Sequence, residues 1–191
     1  MSRTPYSKKN GDFSDAAHLV AQRKIYPSVF SCNKNSITYE AETLLHESDR
    51  GQILDGEMGI DRIVNVTVQS LTNPISFTVQ ERFRKARYAK YKDLTVTEFN
   101  HRTGQPSELY KINAGLFVYG YLSNDGTSFV DAICIDTTRL LWLVAQGGIP
   151  YERKRNSRSG QSFLCFKFES LQRNGATVWR HTNNNTDTAQ E

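Results

Sequence analysis

The segment from Ser76 to Arg84 alternates between apolar and polar residues, and no other feature of the sequence constrains the fold as much. Three apolar residues, Phe77, Val79 and Phe83, occupy alternate positions. The other set of positions carries polar side chains, namely Ser76, Thr78, Gln80, Arg82 and Arg84. Because successive side chains of a β-strand point to opposite faces, the pattern predicts a strand with one buried and one polar face.

The flanking sequence predicts further strands and three helices. A first helix should begin near Ser14, which can cap it, and end by Tyr26, because the residue before Pro27 disfavours helical geometry. An apolar stripe predicts a second helix from Ile37 to about Glu47, and a third fits Thr138 to Gln146. The other predicted strands are Gly59–Val68, Leu94–Phe99, Leu116–Leu122, Phe129–Ile135 and Ser162–Glu169. This order predicts an α/β fold with a mixed central sheet flanked by helices.

The length and the composition of the ends suggest one domain with two appendages. A chain of 191 residues can bury a substantial core. We expect a mobile N-terminus over residues 1–12, a single domain over residues 13–180 and a disordered, polar tail over residues 181–191. No apolar run approaches the roughly 20 residues of a membrane span, and the first residues lack the apolar core of a secretory signal. We therefore expect a cytoplasmic protein with no membrane partner.

Charge and cysteine content limit the classes of ligand. The net charge of +4 and the pI near 9.0 favour a polyanionic partner. Cys32, Cys134 and Cys165 stand far apart, and no pair has the spacing of a thiolate zinc site. We interpret them as small buried apolar side chains.

Asp61 is a carboxylate within an otherwise apolar predicted strand. Burying a carboxylate is costly unless a positive group compensates it, and that group could be a divalent cation or an arginine. Pairing with the 76–84 strand could bring Asp61 beside Gln80 and Arg82. A carboxylate and an amide oxygen could hold a hard cation such as Mg²⁺ or Mn²⁺.

This arrangement resembles the PD-(D/E)XK nuclease superfamily, which has the restriction-endonuclease-like fold. That family carries an acidic residue on one strand, an E-x-K or Q-x-K triplet on the next, and often a Glu from a preceding helix. The resemblance, which covers roughly residues 37–135, equates Asp61 with the acidic residue and Gln80 and Arg82 with the triplet ends. It implies catalytic roles for all three, and metal ligation by Asp61, Gln80 and a helical Glu, either Glu40 or Glu47.

The match departs from the family pattern at two positions. Gln80 replaces an acid, which the family tolerates. Arg82 replaces the lysine, and arginine stays charged, so it cannot give up a proton to orient a water. It can still stabilise negative charge on a phosphate, so the departure bears on catalytic rate more than on fold.

Two basic clusters predict contacts to a nucleic-acid backbone. The first interleaves cations with tyrosines that could stack on bases, and its cations outside the triplet are Arg84, Lys85, Arg87, Lys90 and Lys92. The second, Arg153, Lys154 and Arg155, falls in a predicted flexible loop. Solvated surface segments would have the same composition.

These features together predict a metal-dependent nuclease that cleaves DNA phosphodiesters, and they are compatible with a homodimer. One alternative is a protein of the same fold that binds nucleic acid without cutting it. A second is a structural or interaction protein in which Asp61 pairs with Arg82 or Arg84 only to support the architecture.

Overall fold

The computed structural model describes residues 8–30, 37–43 and 48–182. The helices in this part of the chain are α1 (Lys8–Lys24), α2 (Tyr26–Phe30), α3 (Asp49–Gly51), α4 (Thr137–Ala145) and α5 (Phe168–Arg173). The strands are β1 (Ile37–Thr43), β2 (Arg62–Val68), β3 (Ile75–Lys85), β4 (Asp93–Asn100), β5 (Gln105–Pro106), β6 (Leu116–Leu122), β7 (Phe129–Asp136), β8 (Glu152–Asn156), β9 (Gln161–Lys167) and β10 (Thr177–Thr182). The remaining elements of the described chain are a π-helical turn (Gln52–Glu57) and two 3₁₀ turns (Ala86–Tyr91 and Glu108–Tyr110).

The strands form two sheets. The larger sheet has the order β1-β2-β3-β6-β7-β10, and the smaller has the order β5-β4-β9-β8. The larger sheet is mixed, because β3 and β6 run parallel while its other neighbouring strands are antiparallel. The prediction of an α/β fold with a mixed central sheet flanked by helices is therefore confirmed.

The larger sheet separates two hydrophobic cores. On one face, Val79 and Val118 pack with Ala17 and Ala21 of α1. On the other face, Tyr119 and its neighbours pack with the smaller sheet, α4 and α5. Adjacent residues of β6 therefore enter different cores, which explains why this strand is buried along its whole length.

The second predicted helix is wrong. Ile37–Thr43 forms β1, which runs antiparallel to β2 with Tyr39 opposite Val66. The segment also alternates with a period of two, and Tyr39 and Ala41 pack against the core beneath α1 and α2. Hydrogen bonds to β2 decide in favour of the strand, since tertiary partners override local spacing. Glu40 is consequently an exposed strand residue, and Glu47 lies outside the described residues.

Other boundaries differ where tertiary contacts begin or end. The predicted loop around residues 151–158 contains β8, with Arg153 opposite Leu164 of β9. Strand β9 stops at Lys167, because Phe168 begins α5. Helix α1 begins at Lys8, inside the segment expected to be mobile, and Pro27 lies in the first turn of α2, where its missing N–H has no partner to lose.

The predicted tail overlaps the last strand. His181 and Thr182 end β10, and residues 183–191 lie outside the described part of the chain. No helix among the described residues combines the length and apolarity needed to cross a bilayer.

Candidate functional site

Asp61 lies immediately before β2 and is held against β3. Its N–H donates to the Val79 carbonyl at 2.9 Å, and its Oδ2 accepts a hydrogen bond from the Glu81 N–H at 2.6 Å. That N–H belongs to the peptide group that joins Gln80 to Glu81. The antiparallel pairing of β2 and β3 therefore brings the Asp61 carboxylate to the backbone of the Gln80–Arg82 triplet.

The Asp61 carboxyl lies in an environment that opposes its negative charge. Burial raises its pKa well above the ordinary range for Asp, although the hydrogen bond from the Glu81 N–H acts in the opposite direction. The charge of Glu81 raises the pKa further, and so does Asp55, which is hydrogen-bonded to Asp61. Asp55 belongs to the π-helical turn that precedes the strand. A cation would stabilise the ionised form of the Asp61 carboxyl, which has a second carboxyl group beside it.

Gln80 carries a buried acceptor without a partner. The residue is 8% exposed, and its Nε2 makes a long contact of 3.4 Å to the Glu81 carbonyl. Among the described residues, nothing donates a hydrogen bond to its Oε1. A buried polar atom left in this state costs about 1–3 kcal/mol, so the atom is expected to have a ligand.

Gly59 makes room for this amide. Its φ of 59° lies in the left-handed region, and a Cβ at this position would stand 3.1 Å from Gln80 Oε1. Any larger residue would therefore be strained and would also crowd the oxygen.

Arg82 points to the same side of β3 as Gln80 and is held by three groups. Its Nη1 forms an ion pair with Glu108 at 2.7 Å and donates to the Thr95 carbonyl, while its Nη2 donates to Thr97 Oγ1. Glu108 also accepts from the N–H and the hydroxyl of Thr97. The guanidinium is thus fixed in orientation, and it keeps its Nε–H and one Nη2–H for a ligand.

A cavity of about 250 Å³ opens beside this guanidinium. Arg82, Arg84 and Thr97 line it from one side, and Asn156 and Gln161 line it from the smaller sheet. Phe83 and Phe163 complete the lining, so the walls combine cationic, neutral polar and aromatic groups. An anionic group entering the cavity would meet two guanidinium groups.

Glu81 points to the opposite face of β3, into the core beneath α1 and α2. Its carboxylate accepts from Arg62 Nε at 2.7 Å and from the Tyr26 hydroxyl at 2.9 Å, and it lies 2.6 Å from His18 Nδ1. Burial raises the pKa of Glu81, but the bonds and charges of His18 and Arg62 outweigh burial, and the net pKa is lowered. Glu81 is therefore paired with His18, Tyr26 and Arg62 inside the core.

The ion pair between β2 and β3 also differs from the predicted pair of Asp61 with Arg82, because it is formed by the neighbouring residue on each strand. Among the described residues, Asp61 and Arg82 form no ion pair, whereas Arg62 and Glu81 do. Glu81 occupies the apolar phase of the alternation with Phe77, Val79 and Phe83, and this position is the signal that could have indicated its burial. No comparable signal singles out Asp55 or Glu108.

Glu40, expected as a metal ligand, is not brought to this site. It faces Asn65 across β1 and β2, four residues along β2 from Asp61, which corresponds to about 13 Å. The acid that is hydrogen-bonded to Asp61 is instead Asp55, from the π-helical turn. Glu47, the other candidate, lies outside the described residues.

The first basic cluster surrounds the 3₁₀ turn that follows β3. The guanidinium groups of Arg84 and Arg87 lie 4.2 and 4.9 Å from the centre of the Tyr88 ring. Lys90 approaches the Tyr91 ring at 5.4 Å, and Lys85 approaches the Phe13 ring at 5.6 Å. Lys92 ends the turn in the left-handed conformation, with a φ of 46°.

The second basic cluster lies on β8, at the edge of the smaller sheet. The Lys154 ammonium stands 5.7 Å from the Tyr91 ring, so the two clusters meet there. Arg153 is instead paired through two hydrogen bonds with Glu98, and Arg155 is exposed beside a larger cavity. Lys154 also pairs with Glu152 at 2.9 Å, so two of the three predicted cations of this cluster are engaged by carboxylates of the protein itself.

The groups around Asp61 include oxygen atoms of the types that bind a hard divalent cation. No group of three or more His, Cys, Asp and Glu residues that could hold a metal ion occurs in the described part of the chain. Asp55 and Asp61 nevertheless supply two carboxylates, and Gln80 supplies an amide oxygen that lacks a hydrogen-bond donor. Carboxylate and amide oxygens are the ligand types that Mg²⁺ and Mn²⁺ accept.

The same side of β3 thus combines possible cation ligands with fixed positive charges. Gln80, Arg82 and Arg84 alternate along the strand, so oxygen ligands at one end are followed by two guanidinium groups. Such an array suits a ligand that carries several negative charges.

Comparison with known proteins adds no assignment, since no protein-family model, curated protein or solved structure matches this chain.

Proposed function

We propose that this protein is a metal-dependent phosphodiesterase that cleaves DNA. The observation that carries the proposal is the partly buried Asp61 carboxylate, hydrogen-bonded to Asp55, next to a Gln80 whose buried Oε1 has no donor among the described residues. A structural role explains a buried ion pair, but it does not explain two adjacent carboxyl groups with an unpaired amide oxygen. A cation would satisfy all three groups.

Each residue of the site has a role that follows from its chemistry. Asp61, Asp55 and Gln80 would hold Mg²⁺ or Mn²⁺, which when bound lowers the pKa of a water molecule and polarises a phosphodiester. Arg82 is fixed by Glu108 and stabilises negative charge that develops on the phosphate. It cannot act as a general base, since an arginine remains protonated.

The basic clusters would hold the DNA backbone. Arg84, Arg87, Lys90 and Lys154 surround Tyr88 and Tyr91, which present cations and aromatic rings on one connected surface. Cations of this kind supply sequence-independent affinity for phosphates.

A binding protein without catalysis is the second candidate. The observation in its favour is the ion pair between Arg82 and Glu108, because it neutralises the positive charge at the position where the related family has a lysine. Under this alternative the protein binds DNA, with or without a metal ion, and leaves every phosphodiester intact.

Metal binding and DNA cleavage should be measured on the same set of variants. We expect Mn²⁺ to bind wild-type protein in a calorimetric titration and supercoiled plasmid to be nicked only when Mg²⁺ or Mn²⁺ is present. Asp61→Asn and Gln80→Met should both weaken Mn²⁺ binding and nicking, since the first replaces a carboxylate by a neutral amide and the second removes the amide oxygen. Gln80→Glu should retain both, because it restores the acid of the family triplet.

Glu57→Gln is the matched control, since Glu57 is an exposed acid in the same π-helical turn as Asp55. It should bind Mn²⁺ and nick plasmid like wild type. If Mn²⁺ binds Asp61→Asn as tightly as wild type, the metal site is wrong. Metal binding without nicking would support the binding protein instead.

A further inference from the structure

A second cavity, of about 560 Å³, lies beyond the candidate site on the smaller sheet, and we call it the aromatic pocket. Three rings contribute to its wall: Phe99, His101 and Tyr110. Phe99 and His101 stand edge to face with ring centres 5.2 Å apart, and Tyr110 is 65% exposed. The volume is in the range of pockets that take small organic ligands.

The rim of the aromatic pocket is cationic. Glu98 lies in the wall with its side chain 13% exposed, and the two hydrogen bonds from Arg153 neutralise it. Arg155 on the same rim forms no ion pair with any described residue. The pocket therefore offers flat aromatic surfaces inside and a free positive charge at its edge.

One short segment connects the aromatic pocket to the candidate site. The 3₁₀ turn Glu108–Tyr110 directs Glu108 to Arg82 and exposes Tyr110 beside the pocket. The residues that follow return to the Asp61 loop, where the Asn113 N–H donates to the Met58 carbonyl at 2.8 Å. The ion-pair partner of Arg82 and the ring of Tyr110 therefore belong to the same 3₁₀ turn, so a nucleic-acid strand bound at Arg82 has an aromatic ring two residues from that partner.

We infer that the aromatic pocket binds an unpaired nucleotide of a nucleic-acid strand, with the base on the Tyr110 ring and the phosphate at Arg155. The inference deepens the proposed function and depends on it for the choice of nucleic acid as the ligand. A base inside a duplex is already stacked and paired, so it can reach an aromatic wall only when it is unpaired or flipped out. The substrate class is then DNA with a single-stranded segment next to the bond that is cut.

Fluorescence anisotropy in EDTA tests this inference without any cleavage. The probes are a labelled single-stranded 12-mer, the same strand with abasic sites, and a blunt duplex of the same length. Wild type should bind the single strand more tightly than the duplex. Tyr110→Ala should weaken single-strand binding by about 5- to 150-fold, the range for one base–aromatic stack.

Four controls separate stacking from other effects. Tyr110→Phe should bind like wild type because it keeps the ring, and Trp142→Ala should do so because it removes an exposed ring from α4 instead. On the abasic strand, Tyr110→Ala and wild type should bind equally. Mononucleotide dTMP should compete only at much higher concentration, since it lacks the neighbouring phosphates.

Two results would overturn the inference: Tyr110→Ala binding the single strand as tightly as wild type, or losing the same factor on the abasic strand. Competition by dTMP at the affinity of the 12-mer would assign the pocket to free nucleotides instead. EDTA removes metal ions from the binding assay, so the two proposals can fail separately. If Tyr110→Ala weakens single-strand binding but the protein never nicks plasmid, the pocket inference stands and the nuclease proposal is wrong. If the protein nicks plasmid but Tyr110→Ala binds the single strand as tightly as wild type, the nuclease proposal stands and the pocket inference is wrong.

Discussion

Arg62 and Glu81 form a buried ion pair, with 2.7 Å between Arg62 Nε and Glu81 Oε2, on the face of β3 opposite to Gln80. The pair joins the same two strands that hold the candidate site, one residue further along each. The β2–β3 pairing thus supports the fold through Arg62 and Glu81, and it holds Asp61 of the candidate site against the backbone of β3.

Glu81→Gln should destabilise the protein by about 3 kcal/mol, because it leaves Arg62 buried without its counter-charge. The pKa of Glu81 is lowered in the fold. Its stabilising contribution is therefore complete above the ordinary Glu pKa of about 4.3 and is lost as the pH falls through the lowered pKa. Urea unfolding from about pH 7 to about pH 3 should show a smaller acid-induced loss in the variant than in wild type. A parallel loss in both proteins would contradict the role of Glu81.

Asp61→Asn should raise the melting temperature of the metal-free protein near neutral pH. The raised pKa of Asp61 means that this carboxyl favours the fold at low pH, and that this contribution disappears as the pH rises through the folded-state value. Asn cannot ionise and can still accept from the Glu81 N–H. A gain of about 1 kcal/mol would appear as roughly 2–4 °C in a domain of this size.

In the presence of Mn²⁺, the same experiment should give wild type a higher melting temperature than Asp61→Asn. Mn²⁺ should raise the melting temperature of wild type by mass action and leave Asp61→Asn almost unchanged. Glu57→Gln should respond like wild type, since Glu57 is exposed. A metal-free Asp61→Asn variant that melts below wild type would show that the carboxylate supports the fold.

Arg82→Lys should lower stability by about 1–3 kcal/mol while plasmid nicking persists or increases. The loss is expected because one ammonium cannot reproduce the planar contacts to Glu108, the Thr95 carbonyl and Thr97. The gain in nicking is expected because lysine restores the triplet of the nuclease superfamily that the sequence resembles. Thermal unfolding and plasmid nicking should be measured together, with Arg84→Lys as the control for a neighbouring arginine. Abolished nicking in a folded Arg82→Lys variant would refute the assigned role.

Replacing Arg87, Lys90 and Lys92 together by Ala should weaken duplex DNA binding and flatten its salt dependence. Each lost phosphate contact should reduce the slope of log affinity against log salt by about 0.9. The matched control replaces Lys24, Arg50 and Arg173, three exposed cations elsewhere, so that both variants lose the same formal charge. Equal slopes in the two triple variants would mean that only net charge matters.

The sequence by itself determined the elements whose side-chain pattern has one interpretation. The alternation over Ser76–Arg84 predicted β3, and the apolar run over Leu116–Leu122 predicted β6 with the observed bounds. Asp61 could be selected because a carboxylate beside apolar strand residues is costly wherever that strand lies. These inferences need only the chain's own periodicity and the free energy of burial.

The tertiary structure decided what depends on a distant partner. Ile37–Thr43 has both helical and strand periodicity, and the free edge of β2 makes it a strand. Arg82 could have paired with Asp61, but strand register places Glu108 at its Nη1 and turns Glu81 toward Arg62. Partner choice among charged side chains depends on register and on which face each residue occupies. Neither is contained in local spacing, because a shift of one residue exchanges the two faces of a strand.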